Sequence, residues 1–119
     1  TLKVAAYYDG QEAVKGRYVN GRQTLNENIA DLGALACVTS IAGDDTEALN
    51  SLFTQYARIW ASKYTEESMI HRLNTDVHSP AKVRVNAVLS STEAFYKVYP
   101  DLKEGDGMYA APEKRVKIW

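Results

Sequence analysis

Cysteine is almost absent from this chain: Cys37 is the only one in 119 residues. No internal disulfide can form, so cysteine usage gives no sign of an oxidising compartment and does not establish a reducing one. Cys37 lies in an apolar run, where a small buried filler is expected rather than a reactive thiol. Charge of one sign is equally scarce. Fourteen basic and fifteen acidic residues leave a net charge of −1. No basic or acidic block breaks the chain, so neither nucleic acid nor a charged membrane is announced as a partner. No hydrophobic run is long enough to span a bilayer, and the N-terminus lacks the basic-then-apolar form of a signal peptide. Repeats, low-complexity segments and Pro/Gly-rich linkers are missing too, which leaves one domain over residues 1–119. The chain opens on Thr1 rather than Met, with an abrupt apolar start, as a fragment or a processed product would.

The segments that are present read as mainly α. Leu2 to Tyr8 looks like the end of a helix stopped by Asp9-Gly10. Gly16 to Arg22 reads as a short extended stretch with an Asn20-Gly21 turn of positive φ. Thr24 and Glu27 have capping-box spacing and open an apolar helix that runs through Gly43. That helix is hydrophobic nearly all round, so it is expected inside a protein. A second helix spans Thr46 to about Lys63, with Leu49, Leu52, Phe53, Tyr56 and Trp60 forming one stripe. A third runs from Thr65 to Leu73. Ser79-Pro80 supplies an N-cap and a first-turn proline for a helix through about Leu89, although the alternation of Val83, Val85, Ala87 and Leu89 also fits a strand. Ser90 and Glu93 repeat the capping-box spacing before a helix that Pro100 ends, and the tail from Asp101 to Trp119 is mostly loop.

Two carboxylates, Glu27 and Asp31, sit four residues apart on one face at the start of the apolar helix. Burying them calls for a positive partner, either a side chain of this protein or a metal. Capping alone accounts for Glu27, and a salt bridge to Arg84 or Arg72 accounts for Asp31. His78 lies between Asp76 and Ser79-Pro80; a surface histidine near a cap is the plain reading. Asp76 could also fix its ring and favour its charged form, which suits catalysis. Arg84 carries a fork able to grip a carbonyl or a carboxylate. His71 has no comparable neighbourhood and reads as structural.

Together these residues resemble a known pattern. Val19-Asn20-Gly21-Arg22-Gln23-Thr24-Leu25-Asn26-Glu27-Asn28-Ile29-Ala30-Asp31 is similar to the signature of neprilysin-like zinc metallopeptidases. That family includes neprilysin, endothelin-converting enzyme and the bacterial oligopeptidase O enzymes. Thr75-Asp76-Val77-His78-Ser79-Pro80 with Arg84 is a second match, and Met108-Tyr109 followed by Pro112 through Trp119 is a third. The resemblance implies the C-terminal helical part of a thermolysin-like (gluzincin) catalytic domain and a zinc cofactor. It implies that Glu27 is the glutamate zinc ligand and that Asp31 orients a zinc-bound histidine. It further implies that His78, held by Asp76, stabilises the oxyanion and that Arg84 binds a substrate carbonyl on the primed side. Trp119 would close the domain. Asn26 and Ala34 stand where the family pattern has glycines, and neither change removes a ligand. The cysteines that extracellular animal members use here are absent, which favours a bacterial enzyme, cytoplasmic or exported.

A gluzincin site also needs His-Glu-x-x-His on a helix. Both histidines of this chain, His71 and His78, lack a following glutamate. The expected zinc site is therefore incomplete here, and the chain alone should not hydrolyse peptides. Its implied partners are a peptide substrate and the remainder of its own catalytic domain, with self-association of the isolated piece through exposed apolar surface. The competing reading is a stand-alone, non-catalytic helical interaction domain.

Overall fold

A computed structural model describes residues 1–118; Trp119, and with it the expectation that it closes the domain, lies outside the described residues. Helix α1 (Leu2–Asp9) leads into a hairpin of β1 (Glu12–Val14) and β2 (Arg17–Tyr18). The antiparallel pairing sets Glu12 opposite Tyr18 and Val14 opposite Arg17, with an irregular register between. The left-handed turn residue is Gly16, at φ 76°, rather than the Asn20-Gly21 pair that the sequence suggested. Gly21 answers a different demand, because a Cβ there would run into the carbonyl of Ala5. Its amide donates to Asp9 Oδ1 at 2.7 Å, which seats the chain against the end of α1. Asn20 Oδ1 accepts from the amides of Arg22 and Gln23, at 3.2 and 3.1 Å, and turns the chain through its side chain instead.

Helix α2 (Leu25–Ala42) is the longest. Thr24 is its N-cap residue, but the capping box does not form, because the Thr24 hydroxyl turns back to Asn20 O at 3.0 Å. Asn28, Leu32 and Leu35 form its buried face. The opposite face is open: Ile41 is 82% exposed, Val38 39%, and Cys37 is exposed rather than the buried filler that the sequence suggests. Gly43, at φ 62°, ends the helix.

Helix α3 (Thr46–Trp60) starts where Asp45 accepts from the amides of Glu47 and Ala48, and stops three residues short of Lys63 as Ala61 turns extended. Its Leu49 and Phe53 are the buried part of the apolar stripe. Thr65 caps α4 (Glu66–Thr75) by accepting from Ser68 N, so this helix runs two residues past Leu73. Helix α5 (Ala81–Ser90) resolves the helix-or-strand ambiguity, and its N-cap residue is Pro80 rather than Ser79. Helix α6 (Glu93–Val98) follows Thr92. Ser90 closes α5 and donates to Met108 O at 3.1 Å, so the second capping box does not form either.

The core gathers Tyr8, Leu35, Leu49, Phe53, Val88 and Phe95, drawn from five of these helices. Phe53 and Phe95 meet edge to face with centroids 5.7 Å apart. The tail has little regular structure but is tied down. Arg115 stacks over Tyr96, 3.6 Å from its centroid, and its Nε donates to Ala110 O at 2.8 Å. Tyr96 OH donates to Ser90 O at 2.7 Å and accepts from Ala110 N at 3.0 Å, while Val116 enters the core.

Candidate functional site

The first turns of α2 and the loop entering α5 stand side by side, joining residues about fifty positions apart in sequence. The loop is shaped by Asp76, whose Oδ1 accepts from the His78 amide at 2.9 Å and contacts the ring Nδ1 at 2.8 Å. These two contacts, the backbone one foremost, hold the Asp76 carboxyl below its ordinary range. The other ring nitrogen, Nε2, points across to Glu27 Oε2 at 3.4 Å. That separation is long for a hydrogen bond and short for a charge contact. Both side chains are open to solvent, His78 at 43% and Glu27 at 42%. Gln23 Nε2 donates to Asp76 O at 2.7 Å and ties the loop to the approach to α2.

One turn along α2, Asp31 meets Arg84 from the first turns of α5. Nε donates to Oδ2 at 2.7 Å and an Nη donates to Oδ1 at 2.8 Å, a bidentate pair with little solvent access. This hydrogen bonding raises the Arg84 pKa further above its ordinary value. The guanidinium also lies 3.9 Å from the centroid of the Trp60 ring. Tyr56 OH donates to Arg84 O at 2.9 Å, and burial lifts the Tyr56 phenol to a pKa of about 12. The positive partner required by Asp31 is therefore a side chain of this chain.

All five candidate residues thus converge. Glu27, His78 and Asp76 form one line, and Asp31 with Arg84 flanks it. A groove beside them is lined by Trp60, Met69, Arg72, His78 and Arg84. Five donor hydrogens belong to a guanidinium, and Asp31 takes two, so Arg84 keeps donors for a groove ligand. His71 is exposed on α4 and apart from this line. Among the described residues no three His, Cys, Asp or Glu side chains group to hold a metal ion.

Three contributors were not legible as site residues. Trp60 reads in sequence as one more member of the α3 stripe. Ser79 reads as a cap, yet its hydroxyl donates to Asn28 Oδ1 at 2.7 Å. Asn28 had a signal: it is a polar residue at the same spacing as the buried Leu32 and Leu35.

A model of the family described as peptidase family M13 matches residues 1–116. The neutral endopeptidase of Lactococcus lactis subsp. lactis (strain IL1403) is 41% identical over 118 residues, covering 98% of this chain and 18% of the relative. Neprilysin of Homo sapiens is 29% identical over 118 residues, 87% of this chain and 15% of the relative. The crystal structure of PEPO from Lactobacillus rhamnosis HN001 (DR20) superposes with a TM-score of 0.89 at 38% identity, covering 99% of this chain and 19% of that one. The chain thus spans less than a fifth of the length of these relatives.

Proposed function

The chain belongs to peptidase family M13, and we propose that it is the C-terminal part of the catalytic domain of a zinc metalloendopeptidase acting on oligopeptides. The observation that carries this reading is the line Glu27–His78–Asp76 beside the Asp31–Arg84 pair. Glu27 is the residue of this chain that would hold zinc; when bound, the metal supplies Lewis-acid polarisation of the scissile carbonyl and activation of water.

The chain's own groups have distinct tasks. His78 Nε2 donates toward the negative charge that develops on the carbonyl oxygen, while Asp76 holds the ring through Nδ1. Glu27 and this nitrogen stand 3.4 Å apart, so ligand and donor serve the same small volume. Arg84 grips a substrate backbone carbonyl with the donors that Asp31 leaves unused. Asp31 keeps a lone pair on each oxygen after binding Arg84, enough to accept from an imidazole N–H and orient it. The histidine pair and the glutamate base are supplied by the remainder of the domain, because this sequence contains no His-Glu-x-x-His. Alone, the chain leaves peptides uncut.

The open face of α2 supports the same reading over a stand-alone interaction domain. Ala34, Val38 and Ile41 continue the side of the helix that begins with Glu27. A carboxylate at the head of an apolar stripe suits a surface covered by the rest of a catalytic domain. In the full-length enzyme, Glu27→Gln should abolish bound zinc, measured by elemental analysis, together with peptide hydrolysis. His78→Gln should keep the metal and lower kcat by about 100- to 1,000-fold. A Glu27→Gln enzyme with full zinc content and activity would sink the proposal.

A further inference from the structure

Behind the exposed groups runs a polar chain that takes no part in the chemistry described above. Asn28 follows Glu27 and is 1% exposed; Ser79 follows His78 and is 4% exposed. Ser79 Oγ donates to Asn28 Oδ1 at 2.7 Å, Asn28 Nδ2 donates to Thr24 Oγ1 at 2.8 Å, and Thr24 Oγ1 donates to Asn20 O at 3.0 Å. The direction of this chain is forced. A hydroxyl owns one hydrogen, and Thr24 commits its own to Asn20, so its oxygen can only accept. The Asn28 nitrogen must therefore face Thr24, and its oxygen must face Ser79. The amide has one workable orientation, locked away from water.

The exposed side chains do not supply such rigidity themselves. Among the described residues the polar partners of the His78 ring are Asp76, which lies in its own loop, and Glu27 at 3.4 Å. The Ser79–Asn28 bond is a fully buried side-chain tie between the two segments, one residue from each group, in addition to the half-buried Gln23–Asp76 contact. We infer that Asn28 and Ser79 are positioning residues whose hydrogen bond holds His78 at working distance from Glu27. Asn28 is 1% exposed and Ser79, which lines the groove, 4%, so both act through His78. This inference rests on the catalytic reading of His78. Displacing a donor of this kind by about 1 Å costs on the order of 100-fold in rate.

The test compares Ser79→Ala, Ser79→Thr, Asn28→Asp and His78→Gln in the full-length, zinc-loaded enzyme. Asn28→Asp places an acceptor against the Thr24 oxygen, which has no hydrogen to spare. Ser79→Ala and Asn28→Asp should lower kcat by about 10- to 100-fold with KM within about twofold and zinc content unchanged. Affinity for a phosphinic peptide, which mimics the tetrahedral geometry, should fall by the same factor, while affinity for a product peptide stays level. Ser79→Thr, which retains the hydroxyl, should recover most of the loss. A purely structural role would lower the melting temperature without this split. Should Asn28→Asp fail to fold, Ser79→Ala decides, since it removes a single oxygen. If Ser79→Ala keeps kcat and analogue affinity while His78→Gln loses them, the positioning role is wrong and the catalytic reading stands. If His78→Gln keeps full kcat, both are wrong.

Discussion

Asp76 does its work before any substrate arrives, because one oxygen binds both the amide and the ring of His78. Its carboxyl titrates below the ordinary 3.8. A depressed value means that the contact stabilises the fold fully above the unfolded pKa and is lost as pH falls through the folded one. The contact therefore contributes in full at neutral pH and is lost only in acid, below the ordinary carboxylate range. Asp76→Asn should flatten this part of the acid limb in a plot of stability against pH, measured by denaturant melts. An unchanged acid limb would show that the contact contributes nothing. Asp31 illustrates how much a single residue can reveal from sequence. Its need for a cation follows from placing a carboxylate on an apolar helix, and Arg84 was one of two named candidates. The choice between Arg84 and Arg72 depended on which helix packs against α2, a long-range fact that local spacing does not carry. Trp60 was hidden for the same reason, since its stacking on Arg84 joins α3 to α5.

Helices with strong periodicity were legible because burial follows the stripe: Leu49 and Phe53 of α3 went inside as their spacing required. Caps were less legible. Thr24 and Ser90 both have the spacing of a capping box, yet each hydroxyl binds a carbonyl instead, of Asn20 and Met108. A serine or threonine near a helix start has several partners within reach, and tertiary packing selects among them. The glycine at the end of α2 has no such freedom. Gly43 sits at φ 62° and ψ −133°, a region closed to residues with a Cβ, although open space surrounds it. Gly43→Ala should therefore cost about 1–3 kcal/mol through backbone strain alone. Thermal unfolding measures this, and a change below a few tenths would mean that the loop relaxes without penalty.

Taken whole, the molecule satisfies its charges better than its apolar surface. Asp31, Asp44 and Asp76 each find a cation or donor within the chain, whereas Val38 and Ile41 of α2 find no cover. At high concentration the isolated chain should self-associate through this face. The double variant Val38→Lys, Ile41→Lys should be monomeric by light scattering, with its helical circular dichroism intact. A wild-type chain that is already monomeric would refute the expectation. Cys37 lies at the edge of the same open face, and it is the chain's single thiol. It therefore offers a chemical clock for coverage of that face. A maleimide should label it within seconds in the bare chain and far more slowly once the face is covered, so alkylation rate alone would report assembly.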